Sequence, residues 1–274
     1  MAPAAARVCI IIVSYNVRRL LDRCLTSTSD ADEVVVVDNA SSDESAAMVR
    51  EKHPSVRLVA HETNVGFSAA VNCGVRESSA ELLLLLNPDA SIAPGSLTRM
   101  ATALTSRPDA VAVGFRQVDT DGAFQLAFGP PALLSLDLVR RAVQRRLDRG
   151  NTWLAAGLDL LMSRPLPVPW VAGSSLLVWR DAFEGVGGFD ERFFLFFEDI
   201  DFCLRLRAAG GRVYYDPTVT VVHERGASAD LDPIGADKAY RRSQLLFWEK
   251  HRGPWAKRAV AAYQSLRGVA ADSE

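Results

Sequence analysis

Four short apolar runs, each followed by a polar turn and a helix-spaced stretch, fill the first 105 residues and restrict what the chain can become. Residues 8–13 are an almost unbroken β-branched run, which predicts a strand buried on both faces. Val17, Leu20, Leu21, Cys24 and Leu25 then fall at helical spacing. Residues 34–37 form a second buried run. Ser41, Ser42 and Asp43 follow it with capping oxygens for a helix through Ala46, Ala47 and Val49. Residues 56–60 predict a third strand, 64–75 a small-residue helix, and 82–86 a fourth strand of five leucines. Residues 94–104 predict a helix with Pro94 in its first turn, where a missing N–H costs nothing. This alternation predicts an α/β fold: a parallel sheet with helices on both faces.

Ligands of such sheets bind at the carboxyl ends of the strands. The residues there are Ser14, Tyr15 and Asn16; Asp38, Asn39 and Ala40; His61 to Asn64; and Asn87, Pro88 and Asp89. All four sets are polar or turn-forming, and their coincidence says more than any one of them. Beyond a fifth apolar run at 111–115 the regularity fades. A hairpin turn is expected at 119–122, a basic amphipathic helix at 133–147 and a Pro-rich loop at 164–169. A strand-like stretch covers 170–179, and a turn lies at 185–188. A helix over 198–209 is stopped by Gly210 and Gly211, and short strands lie at 213–215 and 219–222. Two closing helices are split by Gly253 and Pro254. Neither an internal repeat nor a low-complexity linker interrupts the chain.

Composition excludes whole classes. With 49% apolar residues the chain has enough to bury a core, which argues against disorder. A formal net charge of −2 gives no general positive field for nucleic acid. Cys9, Cys24, Cys73 and Cys203 lie too far apart for a zinc knuckle or a dense disulfide framework, and predict reduced thiols in the cytoplasm. The N-terminus lacks the apolar core of a signal peptide, and the leucine run at 82–86 is far too short to cross a bilayer. Peripheral contact with the inner face of a membrane needs no spanning helix and stays open.

Carboxylates mark the chemistry. Asp89, held by a proline turn at a strand end, suits a hard divalent cation or simply shapes the turn. Glu198-Asp199-Ile200-Asp201 opens a predicted helix, where the macrodipole alone favours acids. The aromatic residues at 193–197 before it should draw that helix start inward, and a sheltered carboxylate is a natural general base. His223, after a short strand, is either a structural histidine or a neutral imidazole ligand. His53, His61 and His251 read as surface residues. Asp38 can accept from a nucleotide base or ribose, Tyr15 can stack on a base, and Gly66 permits close backbone approach.

These residues belong to longer motifs. Ile11-Ile12-Val13-Ser14-Tyr15-Asn16, Val36-Val37-Asp38-Asn39-Ala40-Ser41-Ser42-Asp43, Asn64-Val65-Gly66-Phe67-Ser68-Ala69-Ala70-Val71-Asn72 and Leu86-Asn87-Pro88-Asp89 resemble the successive motifs of glycosyltransferase family 2. Gly187-Gly188-Phe189-Asp190-Glu191 and Phe197-Glu198-Asp199-Ile200-Asp201-Phe202-Cys203-Leu204-Arg205 are similar to the acceptor-side and catalytic motifs of its rhamnosyltransferase-like branch. The match runs in order from about residue 8 to about residue 250.

The resemblance implies a single GT-A domain with a mostly parallel, Rossmann-like sheet. Residues 8–115 would be its nucleotide-sugar-binding half, 116–250 its acceptor-binding and catalytic half, and 251–274 a helical tail. It implies inverting transfer from a nucleoside-diphosphate sugar, with dTDP-rhamnose the first guess, to a glycan or polyprenyl-linked acceptor. On that pattern Ser14, Tyr15, Asp38, Asn64, Gly66, Phe67, Asn72 and Asn87 serve the donor. Trp170, Gly173 and Asp201 lie on the acceptor side, Asp199 matches the base and Glu198 supports it. Asp89 and His223 match ligands of Mg²⁺ or Mn²⁺. One position departs from the pattern: Asn87 stands where many relatives carry Asp, and an amide oxygen holds a cation more weakly than a carboxylate. The basic stretch Arg140 to Arg149 reads first as a solvated face; the functional alternative is contact with anionic lipid or an acceptor diphosphate. A nucleotidyltransferase would need a Gly-rich, basic loop where Ser14-Tyr15-Asn16 stands, and no dinucleotide fingerprint follows a strand. A non-catalytic nucleotide-sugar-binding protein is the third reading.

Overall fold

The computed structural model describes residues 6–130, 134–225 and 231–266. The first half runs β1 (Val8–Ser14), α1 (Arg18–Ser27), β2 (Glu33–Asp38), α2 (Ser45–Lys52), β3 (Arg57–Ala60), α3 (Phe67–Arg76), β4 (Leu82–Leu86), β5 (Ala90–Ile92) and α4 (Ser96–Thr105). Every residue of β1 and β4 is buried. Alternate side chains go to opposite faces of the sheet. Cys9, Ile11, Leu83 and Leu85 enter one hydrophobic core, while Ile10, Ile12, Leu82 and Leu84 enter the other. Each such side chain contributes about 1.5–3 kcal/mol when fully buried, so a run apolar on both faces is the residue pattern a central strand requires.

The second half runs β6 (Ala110–Val118), β7 (Phe124–Gln125), β8 (Phe128–Gly129), α5 (Leu134–Asp148), α6 (Thr152–Leu161), β9 (Leu166–Pro167), β10 (Trp170–Val171), β11 (Ser175–Trp179), α7 (Arg180–Gly185), α8 (Glu198–Ala208), β12 (Arg212–His223), α9 (Pro233–Arg252) and α10 (Pro254–Leu266). One sheet spans both halves in the order β3-β2-β1-β4-β11-β6-β12-β5. It is parallel across β3, β2, β1 and β4, and again between β6 and β12. Strand β11 enters antiparallel between β4 and β6. That insertion brings the chain after residue 170 to the carboxyl end of β4, where Asn87 and Asp89 stand.

Several boundaries move for identifiable reasons. Helix α3 starts at Phe67 rather than at 64, because Gly66 is left-handed (φ +84°) and the Asn64 side chain takes the Gly66 N–H. The strand expected over 170–179 is broken at 172–174. The short strands expected at 213–215 and 219–222 are one strand, β12, whose register shifts between Asp216 and Thr220 around Pro217. Helix α6 and strand β5 lie in stretches to which the sequence pattern assigns no element.

Helices α9 and α10 make a third, smaller core. Phe247, Trp248, Ala256 and Val260 pack against Phe193 and Phe197. The Ser243 hydroxyl donates to the Leu195 carbonyl at 2.8 Å. The C-terminal helices therefore clamp the aromatic segment that leads into α8. No helix among the described residues is long and apolar enough to cross a membrane. All four cysteines are free thiols.

Candidate active site

The loop over 172–174, between β10 and β11, joins the two acidic motifs. The Gly173 N–H donates to Asp199 Oδ2 at 3.0 Å. The next residue, Ser174, accepts the Asn87 N–H on its carbonyl at 3.1 Å. Its hydroxyl accepts from Gln117 Nε2 at 2.7 Å. Gln117 then faces His223, with Oε1 at 3.1 Å from Nδ1. Asp89 lies more than a hundred residues before Asp199 and His223, yet this one tripeptide connects all three, His223 through Gln117.

The His223 tautomer follows from that chain. Gln117 uses its amide N–H on Ser174, so its oxygen faces Nδ1 and makes Nδ1 the protonated nitrogen. Nε2 is left as a lone pair, 3.1 Å from Asp89 Oδ1 and 3.3 Å from Asn87 Nδ2. Asp89 Oδ1 is buried and receives no hydrogen bond. Two lone-pair atoms held face to face in a buried site fit a shared cation, since among the described residues no hydrogen-bond donor meets that carboxylate oxygen. No cluster of three or more His, Cys, Asp or Glu side chains suited to a metal occurs among the described residues. The described side chains that could hold one are therefore Asp89 and His223, with the Asn87 amide beside them. That set suits a hard cation that fills its remaining positions with phosphate oxygens and water.

Glu198 and Asp199 open α8 immediately after two consecutive left-handed residues, Phe196 (φ 69°) and Phe197 (φ 68°). Such conformations cost about 1–3 kcal/mol each in a non-glycine residue and persist only where packing enforces them. Here the aromatic contacts of Phe197 with Tyr240 and Phe247 enforce them. Burial pushes the Glu198 carboxyl well above the usual range, and the neighbouring Asp199 adds to it. Its Oε2 finds no donor. Burial also raises Asp199, but N–H groups of Gly173 and Ile200 and the charge of Arg140 oppose this. Of the two, Asp199 is the one whose ionised form has N–H donors and a nearby cation in its favour.

A cavity of about 330 Å³ opens beside Asp89. Tyr15, Asn64, Gly66, Phe67 and Asn87 line it, as do Asn39 and the Phe194–Phe196 backbone region. The N-terminal turn of α9, with Asp232, Gly235 and Ala236, closes one side and turns a helix N-terminus toward the space, a favourable end for an anion. Phe67 reaches from this wall toward Gly173 and Asp199: its Cε1 lies 3.7 Å from where a Gly173 Cβ would sit. Ser14 and Asp38 lie buried behind the wall, paired in register on β1 and β2. Asp38 Oδ1 accepts the Ser41 N–H at 3.0 Å, and Oδ2 is without a donor.

Three residues from the motifs stand elsewhere. Asn72 lies outside the cavity, its amide bonded to both backbone groups of Phe189 and to Glu191, so that it pins the 187–191 loop onto α3. Asp201 is fully buried among Arg205 Nε (2.8 Å), Lys250 Nζ (2.6 Å) and His251 Nε2 (2.8 Å). Burial acts upward on its carboxyl, yet the bonds from His251, Lys250 and Arg205 hold it below the usual range. His251 is thus no surface residue: it ties α9 to α8. Trp170 sits under Arg140, whose guanidinium lies 5.4 Å from the ring centroid, and donates to the Pro130 carbonyl. Sequence reasoning missed Gln117 and Ser174. The one available signal was a polar residue interrupting an apolar strand in each case.

Residues 9–157 match the model of the Glycosyl transferase family 2. The chain belongs to glycosyltransferase family 2. An N-acetylglucosaminyl-diphospho-decaprenol L-rhamnosyltransferase from Mycobacterium tuberculosis is 32% identical, over 90% of this chain and 85% of its own. A low-salt glycan biosynthesis hexosyltransferase from Haloferax volcanii is 26% identical, over 79% of this chain and 66% of its own. Among solved structures, the mannosyltransferase PcManGT from Pyrobaculum calidifontis, in complex with GDP-Man and Mn²⁺, superposes with a TM-score of 0.60. It is 20% identical, over 98% of this chain and 77% of its own. The fold of this family 2 chain is therefore GT-A.

Within that fold Gly66 is a point of contact that admits no side chain. A Cβ there would lie 2.6 Å from Phe194 Cδ2 and 2.7 Å from its carbonyl oxygen, at a φ of +84°. The same carbonyl accepts the Phe67 N–H at 2.7 Å. Gly66→Ala is expected to cost about 1–3 kcal/mol for a backbone (φ +84°, ψ 168°) essentially reserved for glycine and about 1–3 kcal/mol more for the clash. Gly95→Ala, in the αL well (φ +73°, ψ 5°) with open space around it, is expected to cost only about 1–2 kcal/mol. Thermal unfolding of the two variants checks the difference; equal losses would remove the Phe194 contact as its cause.

Proposed function

We propose that the chain is an inverting glycosyltransferase that moves a hexosyl group, with L-rhamnose from dTDP-rhamnose the first choice, onto a hydroxyl of a polyprenyl-linked glycan. The observation that carries this reading is the 172–174 loop, which bonds the Asp199 carboxylate and the Asn87 N–H on adjacent residues, with Asn87 and Asp89 in turn on the cavity wall. The ordered motifs and the name of the mycobacterial relative support the choice of sugar and acceptor.

In this reading the cavity takes the nucleotide, with Tyr15 against the base and Asp38, through its unpartnered Oδ2, behind the ribose pocket. The diphosphate lies toward Asp89 and the start of α9. Asp89, His223 and Asn87 would hold Mg²⁺ or Mn²⁺, which when bound neutralises charge developing on the departing diphosphate. Asp199 accepts the acceptor hydroxyl proton as that oxygen bonds to the anomeric carbon. The bond from that carbon to the diphosphate oxygen breaks with its electron pair leaving on the nucleotide, and attack from the opposite face inverts the centre. Gly173 fixes the Asp199 rotamer by its N–H, and the burial of Glu198 favours its neutral form, which places no second negative charge beside the base.

A panel of nucleoside-diphosphate sugars scored by thermal shift, each with Mn²⁺, tests donor and nucleotide together. A ligand at a hundred times its Kd stabilises by about 2.7 kcal/mol, so dTDP-rhamnose is expected to raise the melting temperature most. Stabilisation by a nucleoside triphosphate and none by any nucleotide sugar would move the reading to nucleotidyl transfer.

A further inference from the structure

We propose that helix α6, with the arginines on either side of it in the chain, is a docking face for an anionic membrane surface. The helix is apolar on the side that faces water. Trp153, Gly157, Leu160 and Leu161 recur at helical spacing along one face, and Trp153, Leu160 and Leu161 are 90%, 77% and 71% exposed. Their outward aim is fixed, not incidental. Ala155 and Leu158 on the other side enter the main core, and Asp159 makes a two-point ion pair with Arg116 at 2.7 and 2.6 Å. The Asn151 side chain caps the helix through the Leu154 N–H at 3.0 Å. The helix cannot roll to bury these side chains without breaking that pair and emptying that part of the core.

Charge identifies the occupant. Helix α6 contains no Lys or Arg, but Arg145, Arg146 and Arg149 precede it and Arg164 follows it, all exposed. A chain with a net charge of −2 thus flanks the helix that carries its exposed Trp153, Leu160 and Leu161 with exposed arginines on both sides in the sequence. Tryptophan and leucine on one face, with guanidinium groups at the margin, match the acyl boundary and the anionic headgroups of a bilayer. A second copy of this chain fits worse, because a two-fold contact through this face would bring its arginines against their own copies.

The placement also serves the site. Helix α5 carries Arg145 and Arg146 near its far end and Arg140 over Trp170, within the electrostatic reach of Asp199. Docking through α6 would therefore bring the base side of the cleft to the surface that holds a lipid-linked acceptor. Only this consequence rests on the function proposed above; the docking face itself does not.

Co-sedimentation with vesicles tests it, using phosphatidylcholine mixed with phosphatidylglycerol against phosphatidylcholine alone. The intact protein is expected to sediment with the mixed vesicles and much less with the neutral ones. The combined variant Trp153→Ser, Leu160→Ser, Leu161→Ser is expected to bind about tenfold more weakly or worse, with its thermal shift by donor nucleotide unchanged. Arg145→Ser with Arg149→Ser should erase the preference for anionic vesicles. Vesicle binding that survives the triple change overturns the proposal. So does a dimer that the triple variant dissolves, in a protein that binds no vesicles. Vesicle binding without any response to a nucleotide sugar would leave this face standing and remove the proposed function instead.

Discussion

Asp199→Asn is expected to lower sugar transfer by about 10²–10⁴-fold, the usual worth of a general base, with donor binding and melting temperature little changed. The substitution keeps an oxygen for the Gly173 N–H, so the 172–174 loop stays in place. What it removes is the capacity to take a proton, together with the Oδ1 acceptor of the Ile200 N–H. The pH profile carries more. Burial raises Asp199, so the rate should fall on the acid side at a pH above the ordinary range of an aspartate, as the basic form is lost through that raised value. Glu198 is raised too, by burial and by the charge of Asp199, which favours its protonated form beside an ionised base. Glu198→Gln mimics that form and should therefore leave the acid limb where it is. A limb that moves to lower pH in Glu198→Gln would mean that both carboxylates are ionised in the working enzyme. Undiminished turnover by purified Asp199→Asn would take the base role from this residue.

The parts legible in the sequence are those with a local physical cause. Strands β1 and β4 are buried on both faces, so their residues are apolar without alternation, and their ends could be placed to within a residue. The start of α8 was legible for the same kind of reason, a turn of carboxylates behind an aromatic run. What stayed hidden is set by contacts across long stretches of chain. Nothing near residues 175–179 announces that β11 will run antiparallel between β4 and β6. Without that, the loop at 172–174 cannot be seen to touch both Asp199 and Asn87. Asn72 and Asp201 belong to the motifs and yet bond to the 187–191 loop and to the α9 cations, partners that no spacing rule supplies. Helix α6 escaped because its pattern is inverted: small Ala155 faces the core and Trp153 faces water, the reverse of the amphipathic signal that marks a surface helix.

Asp89→Ala is expected to abolish transfer and to weaken Mn²⁺ binding by more than the about 10–100-fold that loss of an outer-shell partner produces. The reasoning starts from the small ligand set. With Asp89 Oδ1 and His223 Nε2 as the protein's ionic and imidazole contributions, removing Asp89 leaves a neutral ring and a neutral amide to hold a divalent cation. Manganese resonance titration of the protein with a nucleoside diphosphate measures this without turnover. The same titration separates two further contributions. Gln117→Leu leaves both ligands in place but frees the His223 ring to take the other tautomer, so binding should drop by about 10–100-fold. Asn87→Asp supplies a second carboxylate beside His223 Nε2 and should bind Mn²⁺ more tightly than the natural chain. The order Asn87→Asp, natural, Gln117→Leu, Asp89→Ala is a ranking that a merely structural turn at 87–89 does not produce. If all four proteins bind Mn²⁺ alike, or if transfer persists undiminished in excess EDTA, the orphaned Asp89 oxygen has another purpose and the diphosphate must be neutralised by the start of α9 and nearby cations instead.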